Sequence, residues 1–177
     1  MQMQLEILAN REGEAHPLRI CFVCTGNTCR SPMAAAVANA MAAKALDALP
    51  EAVRGSALPM LDAISRGLYA ANGEPISPQA VAALEDAGVK PVAGRDYHLH
   101  TAAGLTEADA NDADWLVAMS GGHVMELLMR FPQAAQKIVC MPRPISDPFG
   151  GSLEVYRTCL AEITEGVREL LQTRFLQ

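Results

Sequence analysis

The chain has 177 residues, half of them hydrophobic, with a formal net charge of −6 and five cysteines. That length suits one domain with a full core, held without disulfides or a structural metal. An acidic balance with no basic run argues against nucleic acid or an anionic membrane as partner, and no apolar run approaches the roughly 20 residues of a membrane span.

Met3, Leu5 and Ile7 alternate with Gln2, Gln4 and Glu6, the pattern of a half-buried strand. Such a strand would join an outer sheet edge or another subunit; a frayed tail is the other reading. Residues 1–17 are therefore read as an extension, and 18–177 as the domain. The start lacks the basic and apolar regions of a signal peptide, and the cysteine number is odd, which together point to a reducing cytoplasm.

From there the pattern alternates. Strands are expected at 18–24, 60–66, 114–119 and 137–141, and helices at 31–48, 77–87, 121–131 and 152–174. This predicts an α/β domain of three layers, a central four-stranded parallel sheet with helices on both faces. Gly88 and Pro132 close their helices. Leu153, Tyr156, Leu160, Ile163, Val167 and Leu170 form one apolar stripe that packs the last helix on the sheet.

The segment Cys24-Thr25-Gly26-Asn27-Thr28-Cys29-Arg30-Ser31 lies between the first strand and the first helix. Loop amides and the positive end of a helix dipole converge in such a turn, which makes it an anion site. Gly26 and Asn27 suit left-handed backbone angles, and Ser31-Pro32 reads as N-cap followed by proline at the first helical position. Cys24 would then sit beneath a bound phosphate, with Arg30 beside it. The bare spacing is weak, since this composition yields roughly 0.3 accidental Cys-x5-Arg pairs. Its context between strand and helix gives it weight.

The loop resembles that of the low-molecular-weight protein tyrosine phosphatase family, which reads Cys-x5-Arg-Ser. Asp147-Pro148-Phe149-Gly150 is similar to that family's late Asp-Pro-aromatic motif, Ser65-x-Gly67 to its Ser-Ala-Gly segment, and 114–120 to its third strand. The strings from Cys24 to Met33 and from Asp147 to Ser152 resemble the bacterial protein arginine phosphatase branch more closely. Thr28 stands where tyrosine-specific members usually carry isoleucine. Arg66 in place of alanine, a long link at 43–62 and the first seventeen residues depart from the family pattern.

The resemblance implies Cys24 as nucleophile through a phosphocysteine intermediate, Arg30 as transition-state clamp and Asp147 as general acid and then base. Thr25, Gly26, Asn27, Thr28, Cys29, Arg30 and Ser31 would bind the phosphate. Asn27, Ser31 and Ser65 would support the loop. The Ser31 hydroxyl would also donate to the Cys24 sulfur, a role compatible with capping. Thr28 and Phe149 would set specificity. A polar wall at Thr28 suits a guanidino phosphate better than a phenyl ring. The expected partner is a phosphorylated protein or peptide, most of all a phosphoarginine one. A tyrosine phosphatase with the same catalytic residues is the alternative, and a thiol-dependent arsenate reductase a more distant one. Cys29 is either a redox partner of Cys24 or a small buried loop residue; Cys21, Cys140 and Cys159 are read as packing residues. His98 and His100 form a His-x-His pair, with His16 and His123 elsewhere, but no cysteine or acidic cluster completes a metal site. The chemistry needs neither metal nor cofactor.

Overall fold

The computed structural model describes residues 17–48, 51 and 61–175. Four parallel strands, β1 (Leu18–Cys24), β2 (Leu61–Gly67), β3 (Trp115–Ala118) and β4 (Ile138–Cys140), form one sheet in the order β2-β1-β3-β4. β1 is internal, so its run Ile20-Cys21-Phe22-Val23 is buried on both faces, each side chain 0% exposed. That explains its continuous apolar reading in place of alternation. Its register pairs Cys24 with Gly67, which brings the ends of β1 and β2 level.

Helices α1 (Arg30–Asp47), α2 (Pro78–Asp86) and α5 (Leu153–Leu170) cover one face. There Ile20 and Phe22 meet Met33, Leu84 and Ile163, all fully buried. Burying a side chain such as Phe22 stabilises the fold by about 2–3 kcal/mol. Helices α3 (Glu107–Asp112) and α4 (Gly121–Arg130) cover the other face, where Cys21 and Val23 meet Ala110, Leu116 and Leu127. The three-layer α/β arrangement is the one the alternating pattern predicts.

Several boundaries move. β3 and β4 are shorter than expected, and the last helix changes to a π-helical turn at Leu171–Phe175 instead of continuing to 174. Helix α3 was not anticipated. Thr106 and Asp109 form a reciprocal capping box there, a Thr-x-x-Asp signal present in the sequence but hidden in a short polar segment. Gly88 closes α2 with φ of +69°, as expected. The Arg66 guanidinium lies 2.9 Å from Asp109 on α3 and also donates to the Ser65 carbonyl at 2.9 Å. Burial works against the Asp109 charge, yet hydrogen bonds from Arg66 and Thr106 outweigh it and hold the carboxyl below its usual range. The expected N-terminal strand, His16 and most of the 43–62 link lie outside the described residues.

Candidate active site

β1 ends at Cys24, and the chain then bends through 25–29 before α1 begins at Arg30. The Cys24 thiol is 3% exposed. The backbone amide of Asn27 donates to its sulfur at 3.3 Å, and the Ser31 hydroxyl lies 3.0 Å away. Ser31 is therefore not the helix cap expected from Ser31-Pro32. α1 starts one residue earlier, Cys29 takes the N-cap position, and no side chain caps the first turn. The serine faces the sulfur instead, and the positive end of α1 opens towards the loop without a capping side chain to occupy it.

Asn27 organises the loop. It adopts φ of 59°, and it is fully buried. Its Nδ2 donates to Ser31 Oγ and to Ser65 Oγ, each at 2.9 Å, while its Oδ1 accepts the amide of Ala103 at 2.9 Å. The ring Nε2 of His100 meets its carbonyl at 2.9 Å. Gly26, expected to share the left-handed geometry, does not take a positive φ. The glycine the loop does need is Gly67, where a Cβ would fall 2.8 Å from the Thr25 carbonyl oxygen and 3.0 Å from Asn27 Cβ. Close backbone approach, not a turn, accounts for the Ser-x-Gly spacing.

Arg30 is 8% exposed, and its Nη2 donates to Asp147 Oδ2 at 2.7 Å. Residues 117 apart in sequence thus meet beside the thiol's loop. Behind Asp147, Glu162 on α5 accepts both the Ser146 amide, at 2.7 Å, and the Ser146 hydroxyl, at 2.8 Å. Phe149 projects from this segment with 80% of its surface exposed.

Thr28 is half-buried, its hydroxyl 3.6 Å from the Cys29 sulfur and its carbonyl accepting the Ser77 amide. The Cys29 thiol is engaged by Tyr156 Oη at 3.1 Å, which also meets Ser77. Burial, reinforced by the bond to Cys29, pushes the Tyr156 phenol up to about 12. Cys21 and Cys159 are buried, and desolvation pushes each thiol up to about 12, as packing residues require. Cys140 is exposed, contrary to expectation, because β4 is an edge strand and this residue points outward.

Two histidines near the site carry no local sequence signal. His100 braces Asn27 as described, and His123 meets Thr25 Oγ1 at 2.9 Å. His98 instead pairs with Asp96 and Glu85 on the surface, and hydrogen bonds first to Glu85 and then to Asp96 raise its pKa. Among the described residues no cluster of metal-ligating side chains forms.

Fold and site together define a phosphatase: a strand–loop–helix anion cradle, a thiol at its base, and an arginine–aspartate pair at its edge. The sequence matches the family described as low molecular weight phosphotyrosine protein phosphatase over residues 19–175, and the chain belongs to that family. It is 34% identical over 167 residues to the protein-arginine-phosphatase of Geobacillus stearothermophilus, covering 89% of this chain and 98% of that protein. It is 29% identical to the low molecular weight protein-tyrosine-phosphatase PtpB of Staphylococcus haemolyticus, covering 82% and 92%. Among solved structures, the YwlE arginine phosphatase from Geobacillus stearothermophilus superposes with a TM-score of 0.69 at 33% identity, covering 88% of this chain and 92% of that one. The low molecular weight protein tyrosine phosphatase from T. tengcongensis gives 0.73 at 34%, covering 88% and 98%. The protein is a phosphatase of the hydrolase class, and its family acts on phosphorylated proteins. No helix among the described residues is long and apolar enough to cross a membrane.

Proposed function

We propose that the chain removes phosphoryl groups from phosphoarginine in proteins, through a phosphocysteine intermediate on Cys24. The observation that carries the mechanism is the convergence of Asn27 N and Ser31 Oγ on the Cys24 sulfur, at 3.3 and 3.0 Å, with the Arg30–Asp147 pair beside it.

The Cys24 thiolate attacks phosphorus, the phosphorus–nitrogen bond breaks, and the Asp147 carboxylic acid gives its proton to the leaving guanidino nitrogen. The Arg30 fork holds two phosphoryl oxygens and follows their charge into the transition state. In the free enzyme Asp147 occupies one edge of that fork. A phosphoryl group, carrying more charge, takes the fork and leaves the carboxyl beside the leaving atom. Water then attacks the phosphocysteine, Asp147 takes its proton, and the sulfur departs with the Ser31 hydroxyl as donor. Loop amides at 25–31 bind the remaining oxygens.

The substrate reading is supported by Thr28, which gives the pocket wall a hydroxyl, and by two arginine phosphatases among the relatives, at 34% and 32% identity. A tyrosine phosphatase is the second reading, supported by relatives with that title at comparable identity. An arsenate reductase is disfavoured, because Cys140 is exposed at the sheet edge while Cys159 is buried on α5. A reactive thiolate among free cysteines suits a reducing compartment such as the cytoplasm.

The test is turnover of matched phosphoarginine and phosphotyrosine peptides by wild type, Cys24→Ser and Thr28→Ile. Wild type should prefer phosphoarginine, Thr28→Ile should shift the ratio towards phosphotyrosine by about tenfold or more, and Cys24→Ser should lose at least about 10⁴-fold on both. Phosphotyrosine turnover without phosphoarginine turnover would sink the substrate assignment. Undiminished hydrolysis by Cys24→Ser would sink the mechanism.

A further inference from the structure

We propose that Thr25 is a further catalytic residue, its hydroxyl donating a hydrogen bond to a phosphoryl oxygen, and that His123 is the positioning residue that turns the hydroxyl that way. The proposal rests on the phosphatase mechanism above and is independent of which phosphorylated residue is the substrate.

Thr25 follows the nucleophile and is exposed at the loop. Its backbone is pinned, because its carbonyl accepts the Tyr69 amide at 2.9 Å and lies against Gly67. Its side chain is held by a group from a different element: His123 on α4 places Nε2 2.9 Å from Thr25 Oγ1. The imidazole itself is 8% exposed and tied at its other nitrogen, with Nδ1 2.8 Å from Ser120 Oγ.

In the proposed arrangement the hydrogens run from Ser120 through His123 to Thr25. Ser120 is the N-cap of α4, and its Oγ accepts the backbone amide of His123. Ser120 Oγ can then donate its own hydrogen to Nδ1 or accept from it; in the proposal it donates. Burial, followed by the Arg30 charge, lowers the His123 pKa, so the ring is neutral at pH 7 and carries one hydrogen. With Nδ1 accepting from Ser120, that hydrogen is on Nε2 and is donated to Thr25 Oγ1. Thr25 cannot send its own hydrogen back along the same line. The hydroxyl hydrogen is therefore free to point into the cradle, where a phosphoryl oxygen gains charge. A donor fixed before the reaction stabilises that charge without reorganisation. The ring reaches the loop through its contact with Thr25, the residue next to Cys24.

The experiment uses the intact chain with para-nitrophenyl phosphate, a small phosphate monoester, and orthovanadate as an inhibitor that mimics five-coordinate phosphorus. Thr25→Val should lower kcat about tenfold while KM changes by less than about twofold, and should weaken vanadate inhibition by the same factor as kcat. Thr25→Ser should retain activity within about threefold. His123→Leu should lower kcat about tenfold, yet cause no further loss in the Thr25→Val background. His123→Gln, which keeps an N–H donor, should recover most of the rate. Wild-type kcat in Thr25→Val would overturn the proposal, as would a His123→Leu loss that persists undiminished without the hydroxyl. Should His123→Leu fail to fold, the Val and Ser variants of Thr25 and their vanadate inhibition decide alone. Absence of phosphoarginine turnover alongside the expected para-nitrophenyl phosphate kinetics would sink the substrate assignment and leave the Thr25 role standing.

Discussion

Cys24 and Asp147 are the two reacting side chains of the proposed mechanism, and the protein holds them in opposite ways. Cys24 is 3% exposed at the end of an internal strand, inside a loop whose central Asn27 is bonded to Ser31, Ser65, Ala103 and His100. Asp147 has 55% of its side chain exposed and is held at its carboxylate by Arg30, with Glu162 fastening the neighbouring Ser146. The first region has a fixed shape that an anion must fit. The second is tied by a contact that, on the proposed mechanism, the same anion would displace. A nucleophile and its oxyanion donors gain from being set in advance, whereas an acid must deliver its proton to leaving groups of different size.

Substitutions separate the two regions. Arg30→Lys touches both, since it removes the planar fork and the partner of Asp147. It should cost about 10³-fold in kcat/KM, measured with any phosphate ester the enzyme turns over. Asp147→Asn should leave the loop intact and cost about 10²-fold on phosphoarginine or phosphotyrosine, but far less on para-nitrophenyl phosphate, whose leaving group needs little protonation. An equal loss on all three would mean that Asp147 is not the acid. Asn27→Ala should strike stability as well as rate. It leaves Ser65 and Ala103 without their partner and puts alanine at a positive φ, a cost of about 3 kcal/mol by urea unfolding together with about a tenfold loss of kcat.

Smaller effects come from the support around each region. Glu162→Ala frees Ser146 and should lower kcat about threefold with unchanged unfolding midpoint, because its bonds are exposed to water. Arg66→Ala keeps the backbone carbonyl that faces Ser31 and loses the bonds to Asp109 and to the Ser65 carbonyl. It should cost about 1 kcal/mol of stability at neutral pH with activity unchanged. The Asp109 carboxyl is held below its ordinary value of 3.8 in the fold, so its contribution is present above that value and lost as pH falls through the folded one. The stability gap between Arg66→Ala and wild type should therefore close in acid. A gap independent of pH between 2 and 7 would assign the loss to packing instead.

The first strand, the loop and the helix after it were legible because each is a local pattern: a buried β-branched run, a turn with Asn27, a proline at a helix start. The late Asp-Pro motif stood out only through the family resemblance. The expected approach of the Ser31 hydroxyl to the Cys24 sulfur is present at 3.0 Å. Local reasoning failed there only on the cap, since a serine before proline looks like a cap whether its hydroxyl faces the helix amides or a sulfur seven residues back. It misread Gly26 for Gly67, because the steric need at Gly67 comes from a neighbouring segment and not from its own turn. It also took Cys140 for a core residue. The apolar run around it is genuine, but edge or centre is a property of strand order, not of strand composition.

By itself the sequence determined the class of fold, written in short local patterns. Its resemblance to the phosphatase family pointed to Cys24, Arg30 and Asp147 as the proposed nucleophile, clamp and acid. The tertiary structure alone decided how they work together. It placed Asp147 against Arg30 across 117 residues, brought His100 to Asn27, and set His123 behind Thr25. Those contacts join segments far apart in the chain. They exist because four parallel strands bring their ends to one side of the sheet, and no local propensity encodes where such distant ends meet.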